Sequence, residues 1–372
     1  MRYYIISGEA SGDLHGSKLI REIKKKDKDS EFRCWGGDLM QKEGGLIVKH
    51  YRDLAFMGFL EVVMNLDKIL KNISFCKKDI IEFRPDILIL IDYPGFNLRI
   101  AKFAKEYGFK VCYYITPQIW AWKSSRVKII KKYIDKILVI LPFEKEFFRK
   151  FNCEVDFVGH PLLDSINEIE NDSISEDNLK SLNPDSKPII ALLPGSRKQE
   201  INKMLPLMIN TAFKFPDYKF IIAGVKTIPQ EFYQKLIKNS GIEIYYDKTY
   251  FLLKNSKAAL VTSGTATLET ALINIPEIVC YKANPLSVTI ARLLIKVRYI
   301  SLVNLIMDKR VVVELIQNDY NITNIENELN KILSDKIYNN NILKDYKTLR
   351  EKLGGIGASS RAADIICSYL ST

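Results

Sequence analysis

Two strand-to-helix junctions, one in each half of the chain, constrain the fold more than any other feature. The first covers residues 4–13 and the second covers residues 190–197. In each, an apolar run ends at small residues whose backbone N–H groups can face a ligand. The stretch that follows has helical character, and a helix N-terminus favours an anion. Two such junctions predict two nucleotide-binding domains with a cleft between them.

The order of the strand-like runs predicts a doubly wound sheet in each half. At 372 residues the chain exceeds the usual size of a single core. Its apolar runs alternate with helical stretches, as in a parallel sheet wound with helices. The predicted strands are 3–7, 87–91, 111–115, 137–141 and 155–158 in the first half, and 189–193, 220–223, 242–246, 259–262 and 277–281 in the second. We therefore expect an α/β fold of two Rossmann-like domains facing across a cleft.

A polar, acidic stretch between the two series of strands indicates a linker. An asparagine run at 339–341 is expected to mark a break, and the last helix carries an apolar stripe. Either domain of the same chain, or exchange with a second chain, would cover that stripe, so an oligomer is compatible with it. The predicted regions are an N-terminal domain at 1–165, a linker at 166–187, a C-terminal domain at 188–340 and C-terminal helices at 341–372.

Charge and composition limit the classes of partner that the chain is expected to bind. The formal net charge is +11, but the basic residues are spread along the chain without a nucleic-acid-binding module, which favours a membrane surface or a phosphorylated substrate over nucleic acid. The apolar runs are far shorter than the roughly 20 residues that span a bilayer, and the first strand begins without a signal peptide. We expect a cytoplasmic protein. The 6 cysteines and 3 histidines have no metal-ligand or disulfide spacing, so no metal is expected.

An acid follows the predicted strand 87–91 directly. Open α/β sheets bind ligands beyond the carboxyl ends of their strands, so Asp92 is placed to act as a general base toward a hydroxyl. The local pattern is equally compatible with Asp92 capping a turn before Pro94. Asn97 is expected to cap the helix that follows.

Trp120 and Trp122 lie in the loop after the next strand and belong to the same sheet edge as Asp92. Indole rings there can stack on a sugar, although packing of the loop is the commoner outcome. His160 ends the last strand before the linker and is expected to face the cleft. It would serve either as a structural histidine at the hinge or as a catalytic one.

Two loops in the second half are suited to anions. Gly195, Ser196 and Arg197 combine backbone donors with a guanidinium, which suits a phosphate or the charge that develops on a leaving diphosphate. The segment 263–269 offers a second anion pocket, because a strand precedes its small residues and a helix follows them. Glu269, one turn into that helix, either contacts a ribose diol or stabilises the helix N-terminus.

The stretch 57–71 carries more apolar residues than one buried helical stripe requires, with Lys68 and Lys71 among them. Such a segment is compatible with contact to a membrane or to acyl chains. Core packing is the commoner explanation for an apolar stripe.

Taken in order, these motifs resemble those of the lipid-A-disaccharide synthase family, glycosyltransferases of the GT-B architecture. The matching stretches extend over most of the chain, and the first junction and the tryptophan loop are the most distinctive. The matching residues are 7–13, 57–62, 92–97, 117–122, 141–144, 159–161, 193–197, 263–269 and 301–305.

The resemblance implies a reaction that the spacing alone could not show. UDP-2,3-diacylglucosamine would donate its sugar to the 6-hydroxyl of 2,3-diacylglucosamine 1-phosphate (lipid X), giving the β-1,6 lipid A disaccharide 1-phosphate and UDP by direct displacement with inversion. The C-terminal domain would hold UDP and the N-terminal domain the acceptor, with no metal or other cofactor. The acyl chains imply peripheral contact with the cytoplasmic face of the inner membrane.

Carried over position by position, the resemblance makes Asp92 the general base and Arg197 the group that offsets the charge of the departing UDP. The implied donor contacts are Gly195, Ser196, Ser263, Gly264, Thr265, Glu269, Asn304, Glu314 and Gln317, and residues 311–313 depart from the family pattern just before Glu314. The expected acceptor side comprises Ser11, Gly12, Asp13, Trp120, Trp122 and His160. The expected acyl or membrane contacts are Phe59, Val62, Val63 and Leu66.

Two other functions are compatible with the same loops. A UDP-N-acetylglucosamine 2-epimerase would use a similar cleft, but it needs acids and histidines arranged for proton abstraction at C2, and this chain has 3 histidines. A non-catalytic nucleotide-sugar or lipid-binding protein would need no base at all. Release of UDP that depends on an acceptor separates the transferase from both.

Overall fold

The computed structural model of the chain describes residues 1–54, 66–122, 124–170, 186–238, 240–283 and 298–371. The chain divides into two compact units. The first unit is Met1–Asp164 together with Leu353–Thr372, and the second unit is Ser165–Lys352. Each unit is built on a parallel β-sheet with flanking helices, which confirms the predicted α/β fold. Residues 171–185 of the predicted linker lie outside the described residues.

The strands of the first unit are β1 (Arg2–Ser7), β2 (Glu31–Gly36), β3 (Leu46–His50), β4 (Ile87–Ile91), β5 (Lys110–Tyr114), β6 (Lys136–Val139) and β7 (Asp156–Phe157). As far as this unit is described, they form one 7-stranded parallel sheet in the order β3-β2-β1-β4-β5-β6-β7. The strand order therefore reverses between β1 and β4. In open parallel sheets a crevice for ligands forms outside the carboxyl ends of the strands at such a point.

Helices cover both faces of this first sheet. They are α1 (Ala10–Lys26), α2 (Asp38–Lys42), α3 (Leu66–Phe83), α4 (Pro94–Glu106), α5 (Ile119–Trp122), α6 (Val127–Tyr133) and α7 (Pro142–Arg149). The next helix, α8 (Leu162–Glu170), begins in this unit and continues into the second. One core cluster joins the sheet to α3, α4, α6 and α7, and the other joins it to α1 and α2. Burial on both faces explains why β4 is apolar throughout, since neither set of its side chains meets water.

A buried polar network ties β1 and β2 to α3. The Trp35 indole N–H donates to the Tyr4 hydroxyl at 2.8 Å, and that hydroxyl donates to Asp79 Oδ2 at 2.6 Å. Arg33 pairs with the other oxygen of Asp79 at 2.6 Å. The network satisfies polar groups that would otherwise each cost roughly 1–3 kcal/mol when buried without a partner.

The strands of the second unit are β8 (Ile189–Leu193), β9 (Lys219–Gly224), β10 (Glu243–Tyr246), β11 (Ser256–Thr262), β12 (Glu277–Tyr281) and β13 (Val313–Ile316). Its helices are α9 (Lys198–Ala212), α10 (Gln230–Ile237), α11 (Thr249–Lys254), α12 (Thr265–Leu272), α13 (Leu302–Met307), α14 (Ile322–Ser334) and α15 (Lys336–Lys352). In the described part of this unit the parallel sheet has the order β10-β9-β8-β11-β12-β13. Here the order reverses between β8 and β11.

The last helix, α16 (Ala358–Ser371), returns to the first unit. Its buried residues Ala362, Ala363 and Ile366 lie in the same core cluster as residues of α1. The Asp164 carboxylate caps it by accepting the N–H groups of Gly357 at 2.6 Å and Ser359 at 3.1 Å. The apolar stripe of the helix, which the sequence left without an assigned partner, is therefore covered within this chain.

A glycine is required where α16 meets the end of the first sheet. Gly159 has a φ of +83°, and a Cβ there would lie 2.5 Å from the Arg361 guanidinium. That guanidinium is held in place, because its Nε donates to the Val158 carbonyl at 2.8 Å. A side chain at position 159 would both strain the backbone and displace Arg361.

The predicted break at 339–341 is wrong, because α15 runs through it. Asp335 Oδ1 accepts the N–H groups of Ile337 at 2.9 Å and Tyr338 at 3.0 Å and so starts the helix before the asparagines. Asn339 then donates its side-chain amide to the Ile332 carbonyl at 2.9 Å. Residues 341–352 consequently belong to the second unit rather than to the C-terminal helix.

Candidate active site

Asp92 lies at the carboxyl end of β4, beside the reversal point of the first sheet. Its backbone is left-handed, with φ 44°, as is that of Tyr93, with φ 50°. The Asp92 carbonyl accepts from Asn97 Nδ2 at 2.7 Å and from the Tyr113 hydroxyl at 2.6 Å. These bonds hold a conformation that costs on the order of 1–3 kcal/mol for each such residue. The side chain itself reaches solvent.

The surroundings of Asp92 suit a general base. Loss of water around the carboxyl, followed by the negative charge of Glu9, raises the pKa of Asp92 to about 6, although a hydrogen bond from the Tyr93 backbone lowers it. Asp92 is thus ionised at neutral pH yet accepts a proton more readily than an ordinary aspartate. Asn97 does not cap α4 as predicted: it is buried inside the helix, and its side chain supports the Asp92 carbonyl.

The first junction supplies backbone and structural groups to this edge. A Cβ on Gly8 would lie 2.5 Å from the Tyr93 ring, and a Cβ on Gly12 would lie 2.7 Å from Ser7 Cβ, so both positions need glycine. Ser11 is exposed. Asp13 is buried, and its carboxylate accepts from the N–H groups at the start of α2, those of Gly37, Leu39 and Met40, at 2.7, 3.1 and 3.1 Å. Its carboxylate therefore caps α2, and its contact with the acceptor stays a prediction.

The tryptophan loop is anchored by a buried acid. The Trp120 ring packs edge-on against Phe143, with centroids 4.9 Å apart. Glu144 accepts from Thr116 Oγ1 at 3.1 Å and from the Leu141 N–H at 2.9 Å, and burial raises the pKa of Glu144 to about 7 against the effect of these bonds. Trp120 thus packs its loop. The side chain of Trp122 lies outside the described residues.

His160 is a buried, neutral histidine. Its ring Nδ1 accepts the Leu162 N–H at 3.2 Å, and its backbone N–H donates to the Leu353 carbonyl at 3.0 Å. Burial and the nearby His15 lower the pKa of His160 to about 3. Burial and the charge of Lys18 likewise lower the pKa of His15 to about 4. These bonds support the structural interpretation of His160 over the catalytic one.

In the second unit, the 195–197 loop follows β8 at the reversal point of that sheet. Gly195 has a φ of +110°. The Ser196 and Arg197 N–H groups donate to Glu200 Oε2 at 3.1 and 3.3 Å. The Arg197 guanidinium is 62% exposed and lies 3.6 Å from the other oxygen of Glu200. The backbone donors predicted for a phosphate therefore hold a carboxylate of the chain itself, while the guanidinium faces solvent.

The second anion loop follows β11, the strand that pairs with β8 at the same reversal point. Gly264 and Thr265 are exposed, and a Cβ on Gly264 would meet no atom within 4 Å. Ser263 donates its hydroxyl to the Ile300 carbonyl at 3.1 Å. Glu269 accepts from the Tyr250 hydroxyl at 2.7 Å, and burial raises the pKa of Glu269 while that bond lowers it. An open, small-residue helix N-terminus with an acid one turn in is thus present at this edge.

The predicted donor contacts further along the chain take part in hydrogen bonds within the second unit. Asn304 is fully buried: its Oδ1 accepts the Val311 N–H at 2.7 Å and its Nδ2 donates to Glu314 at 2.9 Å. Glu314 in turn accepts the Ser301 N–H at 3.0 Å, and Gln317 accepts the Ala283 N–H at 2.7 Å. In this structure the buried Asn304 side chain is hydrogen-bonded within the protein, and its contact with the donor stays a prediction.

Two residues without a role assigned from the sequence shape these edges. Glu144 anchors the tryptophan loop, and Glu200 occupies the 195–197 loop. The available signal was position: each is the third residue of a helix, where a glutamate reaches back to the residues before it. Phe59, Val62 and Val63, the expected acyl contacts, lie outside the described residues, as does the side chain of Leu66 at the start of α3.

Within the described ranges no three His, Cys, Asp or Glu side chains gather in a way that could hold a metal ion. None of the helices in these ranges has the length and apolarity needed to cross a bilayer.

The fold and these edges define the class of protein. The chain superposes on the UDP-GlcNAc 2-epimerase of Neisseria meningitidis, solved with UDP-GlcNAc, with a TM-score of 0.66 at 14% identity, covering 100% of both chains. The calicheamicin glycosyltransferase CalG4 gives a TM-score of 0.61 at 14% identity, covering 100% of this chain and 98% of that one. At such identities the likeness establishes the fold alone, the GT-B class shared by glycosyltransferases and sugar-nucleotide epimerases.

Sequence similarity selects one member of that class. The model of the lipid-A-disaccharide synthetase family matches residues 3–366. The lipid-A-disaccharide synthase of Trichlorobacter lovleyi is 37% identical over 99% of this chain and 97% of its own length. That of Syntrophus aciditrophicus is 38% identical over 96% of this chain and 95% of its own. The chain belongs to the lipid-A-disaccharide synthase family. It is a glycosyltransferase of lipid A biosynthesis that uses a nucleotide sugar, and the epimerase alternative is not favoured.

Proposed function

We propose that the enzyme joins two acylated glucosamines, with UDP-2,3-diacylglucosamine as donor and the 6-hydroxyl of 2,3-diacylglucosamine 1-phosphate (lipid X) as acceptor. The products are the β-1,6 lipid A disaccharide 1-phosphate and UDP. Family membership supports the reaction class. The observation that carries the chemistry is Asp92, whose raised pKa and position beside the strand reversal suit deprotonation of a hydroxyl.

In the proposed step Asp92 takes the proton from the acceptor hydroxyl as its oxygen attacks the anomeric carbon of the donor. The bond from that carbon to the diphosphate breaks, and UDP leaves with the bonding electrons. Direct displacement inverts the anomeric carbon and gives the β-linkage. General base assistance of this kind contributes roughly 10²–10⁴-fold to a rate.

The second unit is proposed to hold UDP. The exposed N-terminus of α12, at Gly264 and Thr265, supplies backbone donors and the positive end of the helix dipole. Glu269 is suited to accept from a ribose hydroxyl. The exposed Arg197 guanidinium is available to the departing diphosphate, whereas the Ser196 and Arg197 N–H groups become available once Glu200 moves away from them.

Peripheral contact with a membrane is proposed for α3 and the segment before it. Leu70 is 59% exposed and Phe75 is 47% exposed on α3, with exposed Lys71 and Lys78 on the same helix. Exposed apolar side chains beside cations suit the surface of an anionic bilayer. Both proposed substrates carry acyl chains, so docking there would bring the enzyme to them.

The test is UDP release by the purified protein given UDP-2,3-diacylglucosamine, with and without lipid X, in detergent and without added metal. We expect release that requires the acceptor, together with a disaccharide product detected by mass spectrometry. Epimerised donor without any need for acceptor would support the epimerase instead. Binding of UDP with no release under either condition would contradict the proposed reaction and leave a nucleotide-binding role.

A further inference from the structure

We propose that Glu9 is a positioning residue that acts through Asp92, making it a stronger base toward the acceptor hydroxyl. The inference rests on the proposed function of Asp92. It assigns a role to an acid that the capping of α1 does not use.

The sheet brings the two acids together. β1 and β4 are adjacent and parallel, with Ser7 opposite Ile91, so the residues that follow leave the sheet side by side. The approach is close, because the Tyr93 ring lies against Gly8 and would be 2.5 Å from a Cβ there. Glu9 and Asp92 therefore both lie just beyond strand ends at the point where the strand order reverses.

The local role of Glu9 does not explain an acid at this position. Glu9 is the N-cap residue of α1, with extended backbone, and its side chain makes no capping hydrogen bond. Ser, Thr, Asp and Asn are the residues that cap helices well. The side chain of Glu9 is exposed at the ligand edge of the sheet. Attraction to the helix N-terminus makes its negative charge tolerable there.

The groups around Asp92 come from several elements. Glu9 comes from the junction of β1 and α1, and its charge raises the pKa of Asp92 after the effect of burial. Tyr113 of β5 donates to the Asp92 carbonyl, and Arg126 acts on the Tyr113 hydroxyl. The backbone of Tyr93, the next residue, hydrogen-bonds to Asp92 and lowers its pKa. A second carboxylate beside a first disfavours two negative charges together, which favours proton uptake by Asp92.

Substrate binding strengthens this effect. Glu9 is exposed in the free protein, so water and salt weaken its interaction with Asp92. An acceptor sugar that fills the crevice removes that water and lowers the local dielectric constant. Glu9 then raises the basicity of Asp92 most in the complex that reacts.

The experiment compares the pH dependence of kcat/KM and of kcat for the wild type, Glu9→Gln and Glu9→Asp. In Glu9→Gln the acidic limb is expected to move down by about one pH unit, more in kcat than in kcat/KM, because one charge near Asp92 is lost. Its plateau should fall about three- to tenfold, since Asp92 becomes a weaker base. Glu9→Asp keeps the charge and should keep the limb close to that of the wild type.

A second neutral variant guards against a folding defect. Glu9→Ser removes the charge but places a good capping residue at the start of α1, so it should fold and shift the limb like Glu9→Gln. A loss of activity at every pH without movement of the limb in both neutral variants would overturn the inference and leave Glu9 a structural or binding residue. Turnover retained by Asp92→Asn in the same assay would instead overturn the role of Asp92 itself.

Discussion

The polar residues of the family motifs differ in whether their side chains are exposed or already hydrogen-bonded inside the protein. Asp92 and Arg197 are exposed at strand ends, whereas Asp13 and Asn304 are buried and hydrogen-bonded to other groups of the protein. All four lie in motifs that resemble the same family. Only accessible groups can meet a substrate, so Asp92 and Arg197 keep the proposed chemical roles.

Replacing Asp92 with Asn should remove most turnover and leave UDP binding unchanged, because the base is lost while the second unit is untouched. The expected loss in kcat is about 10²–10⁴-fold. In the wild type, Asp92 must be ionised to act. Since its pKa is raised to about 6, kcat/KM should fall about tenfold for each unit below that pH.

The measurements are steady-state UDP release across pH and calorimetric titration with UDP. Asp53→Asn, which neutralises an exposed acid of the first unit, is the matched control and should keep both properties. A wild-type profile that stays flat through the acidic range would argue against Asp92 as the base.

At the scale of elements, α3 has apolar residues both in the core and on the exposed surface. Its buried residues Ile73, Cys76 and Ile80 join the core, while Leu70, Phe75 and Ile81 remain on the outside. One helix therefore provides both a core face and an apolar outer surface. Packing alone accounts for the first of these and not for the second.

The double variant Leu70→Glu with Phe75→Glu should bind vesicles containing phosphatidylglycerol about tenfold more weakly, because it removes apolar contacts and adds negative charge. Its unfolding temperature should fall by only a few degrees, since Leu70 is exposed and Phe75 is half-exposed, with one ring contact to Trp35. Vesicle co-sedimentation and thermal unfolding provide the two measurements.

The control is Ile337→Glu, at a residue that is 76% exposed in the second unit. It should leave vesicle binding unchanged. The same loss of binding is expected for charged replacements at Phe59, Val63 and Leu66. Unfolding of these variants would instead assign the apolar residues of the segment 57–71 to the core.

At the scale of the whole molecule, the chain passes through the second unit and ends in the first. α16 covers apolar residues of α1, and Asp164 caps its start. Both ends of the chain thus contribute to the unit that carries Asp92. The stability of that unit therefore depends on α16, which is separated in sequence from the rest of the unit by the whole second unit.

Asp164→Ala should lower the free energy of unfolding by about 1–2 kcal/mol, because two N–H groups at the start of α16 lose their acceptor. Limited proteolysis should then cleave near the start of α16 earlier than in the wild type. Chemical denaturation and mass spectrometry of the fragments measure the two effects.

Asp364→Ala is the control on the same helix. It removes an exposed carboxylate that pairs with Lys26 at 2.5 Å, and such surface pairs contribute about 0–1 kcal/mol. Equal stability losses in the two variants would show that capping by Asp164 does not hold α16 in place.

Local patterns predicted much of this fold. The apolar runs at β4 and β8 match the observed strands residue for residue, because a parallel strand buried on both faces needs an uninterrupted apolar run. The strands β2, β3 and β13 were missed, since Arg33, Lys49 and Glu314 interrupt theirs. Their strand character comes from pairing with neighbours distant in sequence.

The site divides in the same way. A strand-end acid and two small-residue loops are short-range features, so Asp92, Arg197 and Gly264 could be proposed from the chain alone. The capping duty of Asp13, the occupation of the 195–197 loop by Glu200 and the return of α16 to the first unit required the folded structure. Periodicity and turn chemistry act between near neighbours. Hydrogen-bond partners, desolvation and the charge that Glu9 presents to Asp92 depend on which distant segments meet.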